Sequence, residues 1–220
     1  MEFDPDNATS GGLQFFGTIS ASISHEIKNI LAVLNENAGL LEDLVLMSEK
    51  GIPLNSERIK SVSGTIKNQI KRADLITKNM NSFAHSVDEA VKRVDIYEIL
   101  ELIVALTRRF ADMREVKLEL ESCSNHAVAT TNPFFLENLI YCCIDYAMKS
   151  KAEDSIIRIS IQKEETDILI ILGKLQGLSN TDHTEFPSER EAGLANLLKA
   201  DINLDRNAGN IKIRIPENIG

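Results

Sequence analysis

The sequence predicts an α+β chain: a long helical hairpin that pairs with a second copy as a dimeric four-helix bundle, followed by an α/β sandwich. Three observations predict it. Apolar residues recur at steps of three and four along the first part of the chain, Gly51-Ile52-Pro53 interrupts that run, and short alternating segments take over after about residue 90.

The first seam runs through Ile23, Ile27, Ile30, Leu34, Leu41 and Leu44, flanked by Leu31, Ala38 and Val45. The second runs through Ile59, Val62, Ile66, Ala73, Ile76, Met80 and Phe83. Two long helices joined by a short turn form an antiparallel hairpin, and one hairpin cannot cover stripes this wide. A homodimer is therefore expected, although the second domain could cover part of the stripe. Asn37 and Gln69 interrupt the seams. They either fix register at a cost in stability or sit at solvated parts of the bundle.

The second part reads as helices over 95–113, 133–149 and 188–199. Strands are expected over 116–122, 126–131, 155–162 and 167–173, and in the closing DINLDR and IKIRIP segments. Pro133 after Asn132 suits a first helical position. The order αββαββαββ, with strands clustered in hairpins, predicts helices on one face of a mixed sheet.

Composition bounds the function. The 220 residues carry 24 Lys+Arg against 33 Asp+Glu, a net charge of −9, with 43% hydrophobic and 26% charged residues. That balance leaves no basic face for nucleic acid. No apolar run approaches the roughly 20 residues that span a bilayer, so no membrane segment is expected. The three cysteines, Cys123, Cys142 and Cys143, give neither a disulfide framework nor a zinc set. The compartment expected is the reducing cytoplasm.

The segment Ser22-Ile23-Ser24-His25-Glu26-Ile27-Lys28-Asn29 is the candidate site. His25 lies two residues from both Ile23 and Ile27, so it points roughly 160–200° away from the seam. Ala21, Ser22, Asn29 and Ala32 share its face, small or polar groups that let another protein approach closely. An imidazole, with a reference pKa near 6.5, offers a free ring nitrogen as a nucleophile at cell pH. A neighbouring carboxylate, Glu26, can hold the other N–H and accept its proton. Asn29, four residues on, can position a water or a phosphoryl oxygen.

SISHEIKNIL is similar to the H-box of two-component sensor histidine kinases, His-Glu/Asp-x-x-Asn/Thr-Pro, with Ile30 where that family usually has Pro. The layout resembles that family's dimerisation and histidine-phosphotransfer (DHp) domain, here 1–90, followed by its Bergerat-type ATPase domain, here 91–220. The resemblance implies that His25 is the phosphoacceptor, Glu26 the base and Asn29 a phosphatase-supporting residue. Ala21, Ser22, Lys28 and Ala32 would meet the partner, a response-regulator receiver domain.

The second domain departs from the family. Where the kinases read Asp-Pro-x-x-Leu-x-Gln-x-Leu-x-Asn-Leu-Leu-x-Asn-Ala, this chain has NPFFLENLIYCCIDYA. Tyr146 falls at the Mg²⁺-binding Asn; a three-residue slip would place Cys143 there. Asp-x-Gly-x-Gly becomes Gly173-Lys174-Leu175-Gln176-Gly177, and Gly-x-Gly-Leu-Ala becomes Glu191-Ala192-Gly193-Leu194-Ala195. Mg²⁺ needs oxygen ligands, and nothing else in these motifs balances a triphosphate. The expectation is a histidine phosphotransferase that shuttles a phosphoryl group between receiver aspartates without ATP. No cofactor or metal site of its own is expected, Mg²⁺ coming from the receiver. The alternatives are a sensor-kinase core with a divergent ATP site, and a pseudokinase that binds a receiver or kinase without transfer.

Overall fold

Steps of three and four residues between apolar side chains give one long helix, α1 (Pro5–Glu49), and a second, α2 (Ser56–Ala84). The computed structural model describes residues 5–122, 127–150, 156–175 and 186–219. α1 runs without interruption through Ile30, where the resembled family has Pro. The turn between the helices is set by local chemistry. Gly51 adopts φ 81°, and the Gly51 and Ile52 amides donate to the Ser48 and Met47 carbonyls. Asn55 then caps α2, its Oδ1 accepting from the Glu57 and Arg58 amides at 3.0 and 3.1 Å.

The chain divides into two units. One is Ser20–Ser82, the hairpin. The other joins the residues up to Ile19 to those from Phe83 onward. Its first stretch therefore belongs with the α/β part, whereas the sequence divides near residue 90. The cause is aromatic. Phe15 is fully buried, with ring centroids 5.3 Å from Phe83, 5.6 Å from Phe134 and 5.0 Å from Tyr141.

In the hairpin unit Ile23, Ile30, Leu44 and Val62 are buried, and Asn37 is buried with them. The Asn37 amide donates to the Val33 carbonyl at 2.8 Å, one turn back on its own helix. Met80, expected in the seam, is instead exposed.

The larger unit holds β1 (Lys92–Asp95), α3 (Ile96–Met113), β2 (Lys117–Leu120), β3 (Val128–Thr131), α4 (Pro133–Lys149), β4 (Ile156–Lys163), β5 (Asp167–Gly173), α5 (Glu189–Leu197), β6 (Asp201–Asp205) and β7 (Asn210–Pro216). Five strands form one sheet in the order β2-β4-β5-β7-β6, and β1 pairs with β3 in a second. β2 and β4 are parallel and the other neighbours antiparallel, so the sheet is mixed. Alternation puts Ile157 and Ile159, Ile168 and Ile170, and Ile211, Ile213 and Ile215 into the core. Register aligns them: Ile170 faces Ile213, and Ile213 faces Ile202. The strand β1 is additional to the expected order. The β6–β7 turn closes on Gly209, φ 60°, where a Cβ would sit 3.2 Å from the Leu175 carbonyl oxygen.

The helices start where side chains cap them. Asp95 accepts from the Tyr97 amide at 2.8 Å, and Asn132 from the Phe135 amide at 2.9 Å, with Pro133 opening α4 as its sequence predicts.

Candidate functional site

Ile23 and Ile30 fix the rotation of α1 by burying one side of it, and His25 on the other side is exposed. It makes no hydrogen bond, ion pair or ring contact among the described residues. Ala21, Lys28, Asn29 and Ala32 are exposed on the same helix. Of the expected partner-facing set, Ser22 is the exception. It is 3% exposed, and its Oγ is buried without a partner. Ser22 stands about 60° round the helix from His25, at 100° per residue, on the flank that leads to Glu26. It is part of the buried side of the helix rather than of the exposed face that carries His25.

Glu26 is held from across the hairpin. Its Oε2 accepts from Arg72 Nη2 of α2 at 3.0 Å. The carboxylate expected to face the imidazole thus faces the second helix. Nothing in the local sequence around Lys71-Arg72 signals the pairing of Arg72. It depends on the register between two helices joined by a turn.

In the larger unit, α4 carries Asn138, Cys142 and Tyr146 at four-residue spacing along one face. Asn138 Oδ1 accepts from Arg190 Nη2 of α5 at 3.0 Å, and Cys142 Sγ lies 3.6 Å from the same oxygen. Arg190 Nη2 also donates to the Gly11 carbonyl at 3.1 Å. The Tyr146 ring stacks on Phe186 with centroids 4.1 Å apart and planes 17° from parallel. Burial pushes the Cys142 thiol up to about 12 and Cys143 well above its ordinary value. Both are core thiols, buried and held protonated.

Gly173 ends β5 opposite Arg158, and a Cβ there would meet only the Arg158 carbonyl oxygen at 3.9 Å. Glu191 caps α5, its Oε2 accepting from the Ser188 amide at 2.8 Å and from the Ser188 hydroxyl. Gly193 has open space where a Cβ would be. Gly177, Cys123, His126 and His183 lie outside the described residues. His85 is exposed and pairs with Asp88 at 2.8 Å. Among the described residues no group of His, Cys, Asp and Glu could hold a metal ion, and no helix is long and apolar enough to cross a membrane.

No family model and no curated protein matches the chain. Solved structures do. The catalytic domain of histidine kinase ThkA aligns with a TM-score of 0.48 at 8% identity, covering 59% of this chain and 99% of that one. Acinetobacter baumannii histidine kinase AdeS aligns at 0.46 and 12% identity, over 84% and 96% of the two chains. ThkA in complex with response regulator protein TrrA aligns at 0.47 and 16%, over 93% and 63%. This chain itself is a helical hairpin followed by a mixed sheet.

Proposed function

We propose that this chain is a histidine phosphotransferase of a two-component phosphorelay, working as a homodimer in the cytoplasm. The observation that carries the proposal is His25, an exposed imidazole on the open side of α1 with no partner among the described residues, one residue from a carboxylate and four from Asn29. A phosphorylated receiver domain docks over Ala21, Lys28 and Ala32. The His25 ring nitrogen attacks phosphorus in line, and an N–P bond forms. The bond from phosphorus to the acyl oxygen breaks, and its electron pair returns to the receiver's aspartate. The proton on the other ring nitrogen passes to Glu26. Mg²⁺, supplied by the receiver, neutralises phosphoryl charge. A second receiver takes the group off by the reverse chemistry. The solved ThkA structure is a complex with a response regulator, and the same class of partner is assigned here.

Three features favour a receiver over ATP as the donor. On the resemblance Tyr146, or Cys143 on a three-residue slip, takes the position of the metal-binding Asn, and the Tyr146 ring stacks on Phe186. Gly173 offers no acceptor for an adenine amino group, although a side chain would fit there. Glu191 brings negative charge to the place of a triphosphate and is committed to capping α5. These residues do not fit Mg-ATP.

The homodimer rests on apolar surface. Leu31, Val45, Ile70 and Leu75 of the hairpin unit are large and exposed, and a second hairpin covers them.

A kinase core with a divergent ATP site is the second reading. The helix-and-sheet layer among the described residues, with α4 opening on Asn132-Pro133, favours it, and ThkA and AdeS are histidine kinases. One paired experiment separates the readings. Label from ATP should not reach His25, whereas label from a receiver charged with acetyl phosphate should, and His25→Gln should abolish it. Label from ATP alone establishes the kinase. Receiver binding without any label establishes a pseudokinase.

A further inference from the structure

The geometry points to Arg72 as the residue that positions the phosphoryl group at His25 and that controls when Glu26 is free to act. The inference rests on the phosphotransfer reading above. In the structure Glu26 Oε2 accepts from Arg72 Nη2 at 3.0 Å, while His25 has no partner among the described residues. A carboxylate committed to a guanidinium is not oriented on the neighbouring imidazole, so the resting site holds its base in reserve.

The two partners differ in exposure. The Glu26 side chain is 18% exposed and the Arg72 side chain 54%. Glu26 is the sheltered, fixed member and Arg72 the one with room to turn. Arg72 spends one terminal nitrogen on Glu26. The guanidinium has five N–H donors in a planar fork that matches phosphate oxygens two at a time. An exposed ion pair of this kind contributes little to stability, so exchanging it costs little. When a dianionic phosphoryl group arrives at His25, one residue from Glu26, it offers Arg72 a more highly charged acceptor close to the one it holds.

Transfer then follows from a single side-chain exchange. Arg72 leaves Glu26 for the phosphoryl oxygens and neutralises charge that builds on them in the transition state. The freed Glu26 carboxylate takes the proton from the His25 nitrogen that is not attacking. The electron pair of the bond to the leaving group departs with that group.

The test uses the full chain and phosphoramidate, a small donor whose P–N bond breaks with loss of ammonia as the histidine N–P bond forms. Phosphohistidine is followed by ³¹P NMR, and helix content by circular dichroism. Arg72→Gln should slow phosphorylation about 10- to 100-fold with helix content unchanged. Arg72→Lys should recover part of the rate, as should guanidinium ion added to the Gln variant. Arg58→Gln, on an exposed residue at the start of α2, should match the wild type. If wild type and Arg72→Gln react at the same rate, or added guanidinium rescues nothing, the role of Arg72 is overturned and the phosphotransfer reading stands. If the folded wild type forms no phosphohistidine at His25, the phosphotransfer reading falls, and the role of Arg72 falls with it.

Discussion

The rings of Tyr146 and Phe186 lie 4.1 Å apart and 17° from parallel, so an aromatic stack joins the last turns of α4 to the segment that leads into α5. In the resembled kinases an Asn at the Tyr146 position would hold Mg²⁺. A tyrosine at that position would offer the metal no carboxamide oxygen, and its ring stacks on Phe186.

Mg-ATP should therefore give no saturable heat in a calorimetric titration at about 1 mM nucleotide, a threshold of about −4 kcal/mol. Micromolar affinity would establish a working nucleotide site despite Tyr146, Gly173 and Glu191. Gly173→Asp should fold normally, since a side chain there meets only a carbonyl oxygen at 3.9 Å.

Phe15→Ala should destabilise the larger unit by about 3–5 kcal/mol in urea or thermal unfolding, the cost of removing a fully buried ring from a cluster with Phe83, Phe134 and Tyr141. A loss under 1 kcal/mol would mean that the start of α1 does not pack on the α/β unit.

That cluster marks where the sequence ceases to be legible. Asn132-Pro133 announces the start of α4, and the alternation of isoleucines in β4, β5 and β7 announces the sheet core, because both are local patterns. The division of α1 between two units is not local. Its apolar steps continue unbroken past Ile19, and only the partner rings from distant positions reveal that Phe15 belongs elsewhere. β1 was missed because Lys92-Arg93-Val94-Asp95 is short and mostly charged, and it becomes a strand only by pairing with β3. At the site, the outward direction of His25 follows from helical spacing alone. The burial of Ser22 and the pairing of Glu26 with Arg72 depend on which flank of α1 is covered and on how the two helices are registered.

Stability should fall as pH rises from about 4.5 to about 8. Glu137 of α4 is 1% exposed, and burial raises its carboxyl from 4.5 to about 8, with nearby Ser86 pulling weakly the other way. The folded state keeps a proton that the unfolded state has released in this window. The contribution is whole below about 4.5 and lost as pH passes through about 8. Glu137→Gln should flatten this slope and raise stability at pH 8 by about 2–4 kcal/mol in urea unfolding. An unchanged slope would remove Glu137 as its source.

Leu31 and Leu75 are 57% and 58% exposed on the hairpin. If the chain pairs through this surface as proposed, replacing both with Glu should leave a folded monomer in sedimentation equilibrium at micromolar concentration. A wild-type chain that sediments as a monomer would contradict the four-helix assembly.

The most direct measurement is phosphoryl transfer from an acetyl phosphate-charged receiver to the full chain, with the acceptor residue mapped by mass spectrometry. One phosphoryl group is expected on His25, and none when His25→Gln is used. Modification at another residue, or no modification when the receiver demonstrably binds, would contradict the phosphotransfer proposal.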